Sequence, residues 1–155
     1  MSEQVTTNQI VSTDSEQIDF ETCNLFVTNW INVYYNKHQR YGKSLTITLN
    51  DKVIDPLHVF FSDLESFYGC KIIKHNKQGD KSYVSVKIKD DSAKYYDIDK
   101  KLVLKLNEED IYKRNIVRLV FSVKQYNIDN KSGITLKLVQ TQYKPREKQT
   151  FDCLF

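Results

Sequence analysis

The chain reads as a mainly β protein, a small antiparallel barrel with one amphipathic helix, on three observations. Short runs of alternating apolar residues recur along it, with polar turn signals between them. Tyr, Ile, Val and Thr, which favour strands, are plentiful, whereas Ala93 is the only alanine among 155 residues. A single segment, 56–68, places its apolar residues at helical spacing. A β-sandwich is the alternative, because it too buries one face of every strand.

Residues 1–22 contain Glu3, Asp14, Glu16, Asp19 and Glu21 and no Lys or Arg, and no apolar period runs through 1–19. They are expected to form a flexible acidic leader. The remaining residues hold all 23 bases against 15 acids, a distinctly basic body. From Leu25 to Tyr35 the pattern suits a strand with Leu25, Val27, Ile31, Val33 and Tyr35 on one side and Phe26, Trp30 and Tyr34 on the other. Leu45, Ile47 and Leu49 alternate with threonines in a second strand. Asp55-Pro56 opens the helix as N-cap and first residue. Leu57, Phe60, Phe61, Leu64 and Phe67 form its stripe, and Gly69 ends it.

A hairpin is expected over 71–74 and 82–89, with Val84, Val86 and Ile88 inward and Ser85, Lys87 and Lys89 outward. Residues 90–100 read as an irregular connection, and Leu102, Leu104 and Leu106 as a strand. Asn107 begins a turn or short helix. The last two strands place Val117, Leu119, Phe121 and Val123, then Ile134, Leu136 and Leu138, inward, joined by a polar loop that contains Tyr126. Gly133 permits a sharp turn before the final strand. Six or seven short strands with one helix match the size of an OB-fold. The division is a leader 1–22, an OB-like domain 23–148 and a short C-terminal tail 149–155.

Catalytic signatures are missing. There is no Walker A loop, no G-x-G-x-x-G, no H-E-x-x-H and no G-x-S-x-G. His38, His58 and His75 are scattered, and the three cysteines form neither a C-x-x-C pair nor a disulfide framework. Asp90-Asp91 and Glu108-Glu109-Asp110 read as solvated or helix-capping charge rather than as an ion site. No cofactor, no metal and no enzymatic activity are expected. No apolar run approaches the ~20 residues needed to cross a bilayer, and the N-terminus lacks signal-peptide character. An intracellular protein, in the cytoplasm or nucleus of its host cell, is expected.

The basic body is interleaved with aromatic rings. Trp30, Tyr34, Lys37, Arg40, Tyr41 and Lys43 crowd one strand and loop; Tyr83, Lys87 and Lys89 repeat the theme on the hairpin. Arg118, Lys124, Tyr126, Lys137, Tyr143, Lys144 and Arg146 carry it through the last two strands. Unpaired nucleic acid asks for this mixture: cations for phosphates, flat rings for bases at about 1–3 kcal/mol each. Duplex recognition more often uses a helix in the major groove, and the one expected helix has few bases. Tyr also has high β-propensity, and outward Lys guards sheet edges in any β protein.

The segment from Val117 runs through Q-Y-N-I-D-N-K-S-G into I-T-L-K-L-V-Q. It resembles the last hairpin of OB-fold single-stranded DNA-binding proteins encoded by phages and large DNA viruses. In that layout an aromatic precedes a polar loop, a glycine and a strand of the type G-[VI]-x-L-x-L-x-x-[VL]-Q. Tyr126, Gly133, Ile134, Leu136, Leu138 and Gln140 occupy it here. The resemblance implies binding of single-stranded DNA with little sequence preference, protecting it in viral or phage-type replication or recombination, with RNA a possible ligand. It also implies a replication-protein partner reached through the tail. The family's strongly acidic, aromatic-ended tail is reduced here to T-F-D-C-L-F, with Asp152 its one acid: either the tail works through apolar contact, or the acidic role has moved to residues 1–22, which would fold back over the basic groove, or there is no such device. The alternative is a β-rich structural or protein-interaction module, such as a virion or assembly component, whose tyrosines form a protein interface. A small nuclease using the carboxylate clusters is a third reading. Oligomeric state is not legible.

Overall fold

Helix α1 (Pro56–Tyr68) begins and ends where its caps dictate. The Asp55 carboxylate accepts the His58 backbone N–H at 2.8 Å, and Gly69 stops the helix at φ 66°. Leu57, Phe60, Phe61 and Leu64 are buried, while Phe67, expected in the same stripe, is half exposed against Phe20. The computed structural model describes residues 10–40, 42–75, 79–89 and 93–146. Within them lie nine strands: β1 (Ile10–Ser12), β2 (Leu25–Val27), β3 (Val33–His38), β4 (Gly42–Asn50), β5 (Lys74–His75), β6 (Lys81–Ile88), β7 (Lys94–Tyr96), β8 (Asn115–Ile128) and β9 (Lys131–Pro145). A second helix, α2 (Glu108–Arg114), is capped by the Asn107 side chain.

The strands pair in the order β1-β2-β8-β9-β6-β4-β3, with β5 on β6 and β7 on β9. The fold is mainly β and OB-fold-like. Two details differ from the expected antiparallel barrel: β1–β2, β6–β9 and β7–β9 are parallel, and the sheet is not closed. The path nevertheless curls far round. Ile31 exchanges two backbone hydrogen bonds with Val117 of β8, and two residues later Val33 pairs with Ile47 of β4. Strands near opposite ends of the path are thus bridged by a few residues of chain.

That bridge corrects the expected strand 25–35. Thr28 breaks it: its buried hydroxyl donates to Asn29 O at 2.8 Å and accepts from Leu119 N at 3.0 Å. A side chain bonded to backbone in this way competes with a continuing ladder. The facing also reverses across the break, with Phe26 fully buried in β2 and Val33 buried in β3.

The inward residues of β4, β6, β8 and β9 join α1 in a single cluster, with Phe20, Phe26, Phe60, Phe61 and Phe121 in mutual ring contact. Each such side chain, fully buried, contributes about 1.5–3 kcal/mol. Cys23 and Cys70 are buried free thiols.

Four further expectations change. Residues 10–22 belong to the fold rather than to a leader outside it: β1 adds to the sheet, Val11, Ile18 and Phe20 pack on the core, and Asp14 and Glu16 border a cleft against α1. Residues 1–9 and the expected tail 149–155 lie outside the described residues. Leu102–Leu106 is no strand; it makes one bridge, Tyr96 to Leu102, and leaves Leu104 84% exposed. The connection before it contains β7, which the sequence reading missed. Finally, β8 and β9 run on to a two-residue turn at Asp129 and Asn130, both at positive φ (50° and 65°), the hairpin geometry that such residues favour. Tyr126 is therefore a strand residue paired with Gly133, which is not at a turn. A Cβ at Gly133 would overlap the Tyr126 phenol, so glycine is there to seat the ring.

Candidate nucleic-acid interface

Side chains alternate across each strand, so register decides which ones share a face. The nine strands carry eleven Lys or Arg and not one Asp or Glu. The outward residues form rows. Asn36, Ser44, Lys87, Lys137 and Ser122 are successive partners across β3, β4, β6, β9 and β8. One step along the last hairpin, Lys124 pairs with Thr135, and Tyr126 with Gly133. In the other direction Gln140 lies between Val120 and Lys94, and Gln142 between Arg118 and Tyr96. Lys144, paired with Ile116, sets its ammonium 4.4 Å from the Trp30 ring centroid. From Gly133 to Lys144 the strip spans on the order of 35 Å. Tyr34, 68% exposed, heads a second outward row with Thr46 and Ser85.

A β-bulge shapes this strip. The register shifts between Val120 and Phe121, so that Gln140 and Leu138 face consecutive β8 residues and Val139 is extra. Beyond it the phase of β9 reverses: Thr141 is buried, and Gln140 and Gln142 fall on the face that Lys137 occupies.

The structure thus brings Trp30, Lys87, Arg118, Lys124, Tyr126, Lys137 and Lys144 onto one outward strip. Arg118 is steadied by its Nε–H to Thr28 O at 3.1 Å. Tyr83 is outward on β6 but two pairs away, opposite Thr48 and Lys74. Arg40 and Arg146 are exposed beyond strand ends, and Lys89 just past β6 borders a cleft with Lys94, Leu102 and Leu104. Tyr41 lies outside the described residues.

Three expected contacts are placed otherwise. Tyr143 has inward phase and packs half-buried on the core. Lys37 sits at the inward side of the β3 end, in a cleft with Tyr35, Lys43 and Glu108. Lys43 is paired with Glu108 at 2.6 Å, its side chain 17% exposed. Glu108 also accepts the Tyr95 hydroxyl at 2.8 Å; Tyr112 donates to Tyr95 at 3.2 Å and meets Thr141 Oγ1 at 2.9 Å. This network ties β4, α2, β7 and β9 together. Burial first, then the Tyr112 hydroxyl, pushes the Tyr95 phenol far above its usual range; burial also raises Tyr112. Both are hydrogen-bonded neutral phenols.

Sequence reasoning missed Lys94, Tyr96, Lys100, Gln140 and Gln142 as strip residues. The K-Y-Y triplet was the available signal, hidden because residues 90–100 read as irregular.

A second polar group gathers around Asp51, after β4. Ser82 Oγ lies 2.7 Å from each Asp51 oxygen and 2.8 Å from His75 Nδ1, and His58 Nε2 meets Asp51 at 3.2 Å. The residue types are those of a hydrolytic triad. Ser82, however, is fully buried, so its hydroxyl has no route to a substrate; it fastens the β4–α1 turn to β5 and β6. The Ser82 hydrogen bond, opposed by desolvation and aided by both histidines, holds the Asp51 carboxyl below its usual range. Among the described residues no group of three or more His, Cys, Asp or Glu could hold a metal ion, and no helix is long and apolar enough to cross a membrane. Of the carboxylate clusters, Glu108–Asp110 begins α2, where Glu109 pairs with Lys113 at 2.9 Å; Asp90-Asp91 lies outside the described residues.

No family model and no curated protein sequence matches the chain. Solved structures do. The chain is similar to gp2.5, a single-stranded DNA-binding protein encoded by bacteriophage T7, at TM-score 0.55 and 12% identity, covering 83% of this chain and 89% of that one. It is also similar to the single-stranded DNA-binding protein from bacteriophage Enc34, at 0.53 and 10%, covering 79% and 84%. The same Enc34 protein in complex with single-stranded DNA matches at 0.52 and 9%, covering 83% and 86%. At such identities the likeness is one of fold.

Proposed function

We propose that the chain binds single-stranded DNA with little sequence preference, along the outward strip of β6, β8 and β9, and protects it during phage- or virus-type replication or recombination. One observation carries this reading: strands with eleven basic residues and no acid, register-aligned so that lysines and an arginine alternate with rings and amides on one face. The printed descriptions of the Enc34 and T7 proteins support it. Lys87, Lys137, Lys124 and Arg118 neutralise phosphates, while Tyr126, seated against Gly133, Tyr34 and Trp30 accept bases. Such a strip is non-enzymatic; it lowers the free energy of the unpaired strand by binding it. Stacking on rings accepts every base, so affinity comes mainly from charge and falls with salt.

Trp30 reports on the test. Oligo-dT should quench its fluorescence and an equivalent duplex should do so far less, with the affinity for oligo-dT dropping linearly in log–log coordinates as salt rises. Equal response to both, or none to oligo-dT at low salt, overturns the reading.

A further inference from the structure

We infer that the outward face of β8 and β9 holds a dedicated site for one unpaired nucleobase, a feature beyond a cationic track indifferent to bases; the inference rests on the single-strand reading above. A cavity of about 470 Å³ opens there, within the range of small-ligand sites. Val27 and Val120 give it apolar lining, Tyr96 a ring, and Arg118 and Lys100 cations. Gln140 also lines it, and its side chain makes no hydrogen bond among the described residues, whereas the neighbouring Gln142 amide is spent on Asp97 O and Ile98 O at 3.2 and 3.3 Å. Those two bonds fix the 97–101 turn, where Lys100 sits at φ 61°.

Two unrelated features converge on this place. The bulge at Val139 is what turns Gln140 outward; unbroken alternation from Leu136 and Leu138 would bury it. The buried Tyr95–Tyr112–Thr141 network pins β7, so that Tyr96, next in the chain, stands opposite Gln142. The fold therefore holds a ring and an unpaired amide against the same cavity with cations at its rim. That is the chemistry of an unpaired base: a flat face to stack, an edge with donors and acceptors, and a phosphate on either side. The lining shares β8 and β9 with the cationic strip, so a strand following Lys137 passes it.

The experiment is anisotropy titration of the full chain with oligo-dT and with an oligomer of equal length made of abasic nucleotides, comparing wild type with Tyr96→Ala and Gln140→Ala. Tyr96→Ala should weaken oligo-dT about five- to 150-fold, the range for loss of one stacked base. Gln140→Ala, which removes no packing partner from the core, should weaken it by a smaller factor. Neither should change the salt slope, since no charge is lost, and neither should alter binding of the abasic strand. If wild type binds oligo-dT while both variants bind it equally well, or lose abasic and dT binding alike, the base site is refuted and the strip survives. If wild type binds no single strand at low salt, the single-strand reading fails first and takes the site with it.

Discussion

Tyr95 and Tyr96 are adjacent in the chain and opposite in use, as are Lys43 and Lys137 a few strands apart. Around Tyr95, Lys43 meets Glu108 and the hydroxyls of Tyr95, Tyr112 and Thr141 are joined beneath the sheet. On the outer side, Tyr96, Arg118 and Lys137 share a face whose strands carry no carboxylate. The two regions use the same residue types. What separates them is parity along the strand and whether an acid is within reach: inside, charge and hydroxyl are spent on one another, and outside the strands offer no carboxylate to spend them on.

The sharpest way to break this comparison is to remove charge from each side. Lys87→Ala with Lys137→Ala should weaken oligo-dT about a hundredfold, from about 1.5 kcal/mol per charge-assisted contact, and lower the salt slope by about 1.4. Lys43→Ala should leave that slope unchanged and reduce stability instead. A salt titration of both variants is the check, and an altered slope in Lys43→Ala would erase the distinction.

Tyr112→Phe tests the inner region alone. It strands the buried Thr141 hydroxyl and takes a donor from Tyr95, which keeps its bond to Glu108, at a cost of about 1–3 kcal/mol read by urea unfolding, with the salt slope of DNA binding as in wild type. Stability should also fall as pH rises past 10, the ordinary tyrosine value: the unfolded phenols ionise there, while the folded ones, raised by burial, keep their protons. Removing Tyr112's hydroxyl should flatten that alkaline limb.

Gly133→Ala probes the outer ring seat. The added methyl meets the Tyr126 phenol and should cost about 1–3 kcal/mol, most of it recovered in a Tyr126→Ala background. Equal costs in both backgrounds would show that the ring is not seated on the glycine.

The smallest effect is expected at Asp51. Its carboxyl is held low, first by the Ser82 hydroxyl, so its contribution is complete above the ordinary value of 3.8 and is lost as pH falls below that. Asp51→Asn should lower stability at neutral pH and flatten the acid limb below pH 4, measured by thermal unfolding.

Local chemistry sets the ends of α1. Asp55, Pro56 and Gly69 act within one turn of chain, so the sequence alone determined them. The inward sets of β4, β6, β8 and most of β9 follow from alternation for the same reason. Thr28, Val139 and Gly133 mark where that reading stops. Thr28 breaks a strand only because Leu119, 91 residues on, supplies a backbone N–H. Val139 reverses the phase of β9 only because β8 sits opposite in a shifted register. Gly133 is explained by a ring across the hairpin rather than by its own turn. Composition could say that cations and rings were abundant. Which of them face solvent together, and which are consumed by Glu108, was decided by pairing between distant strands, since a one-residue shift in register exchanges the two faces.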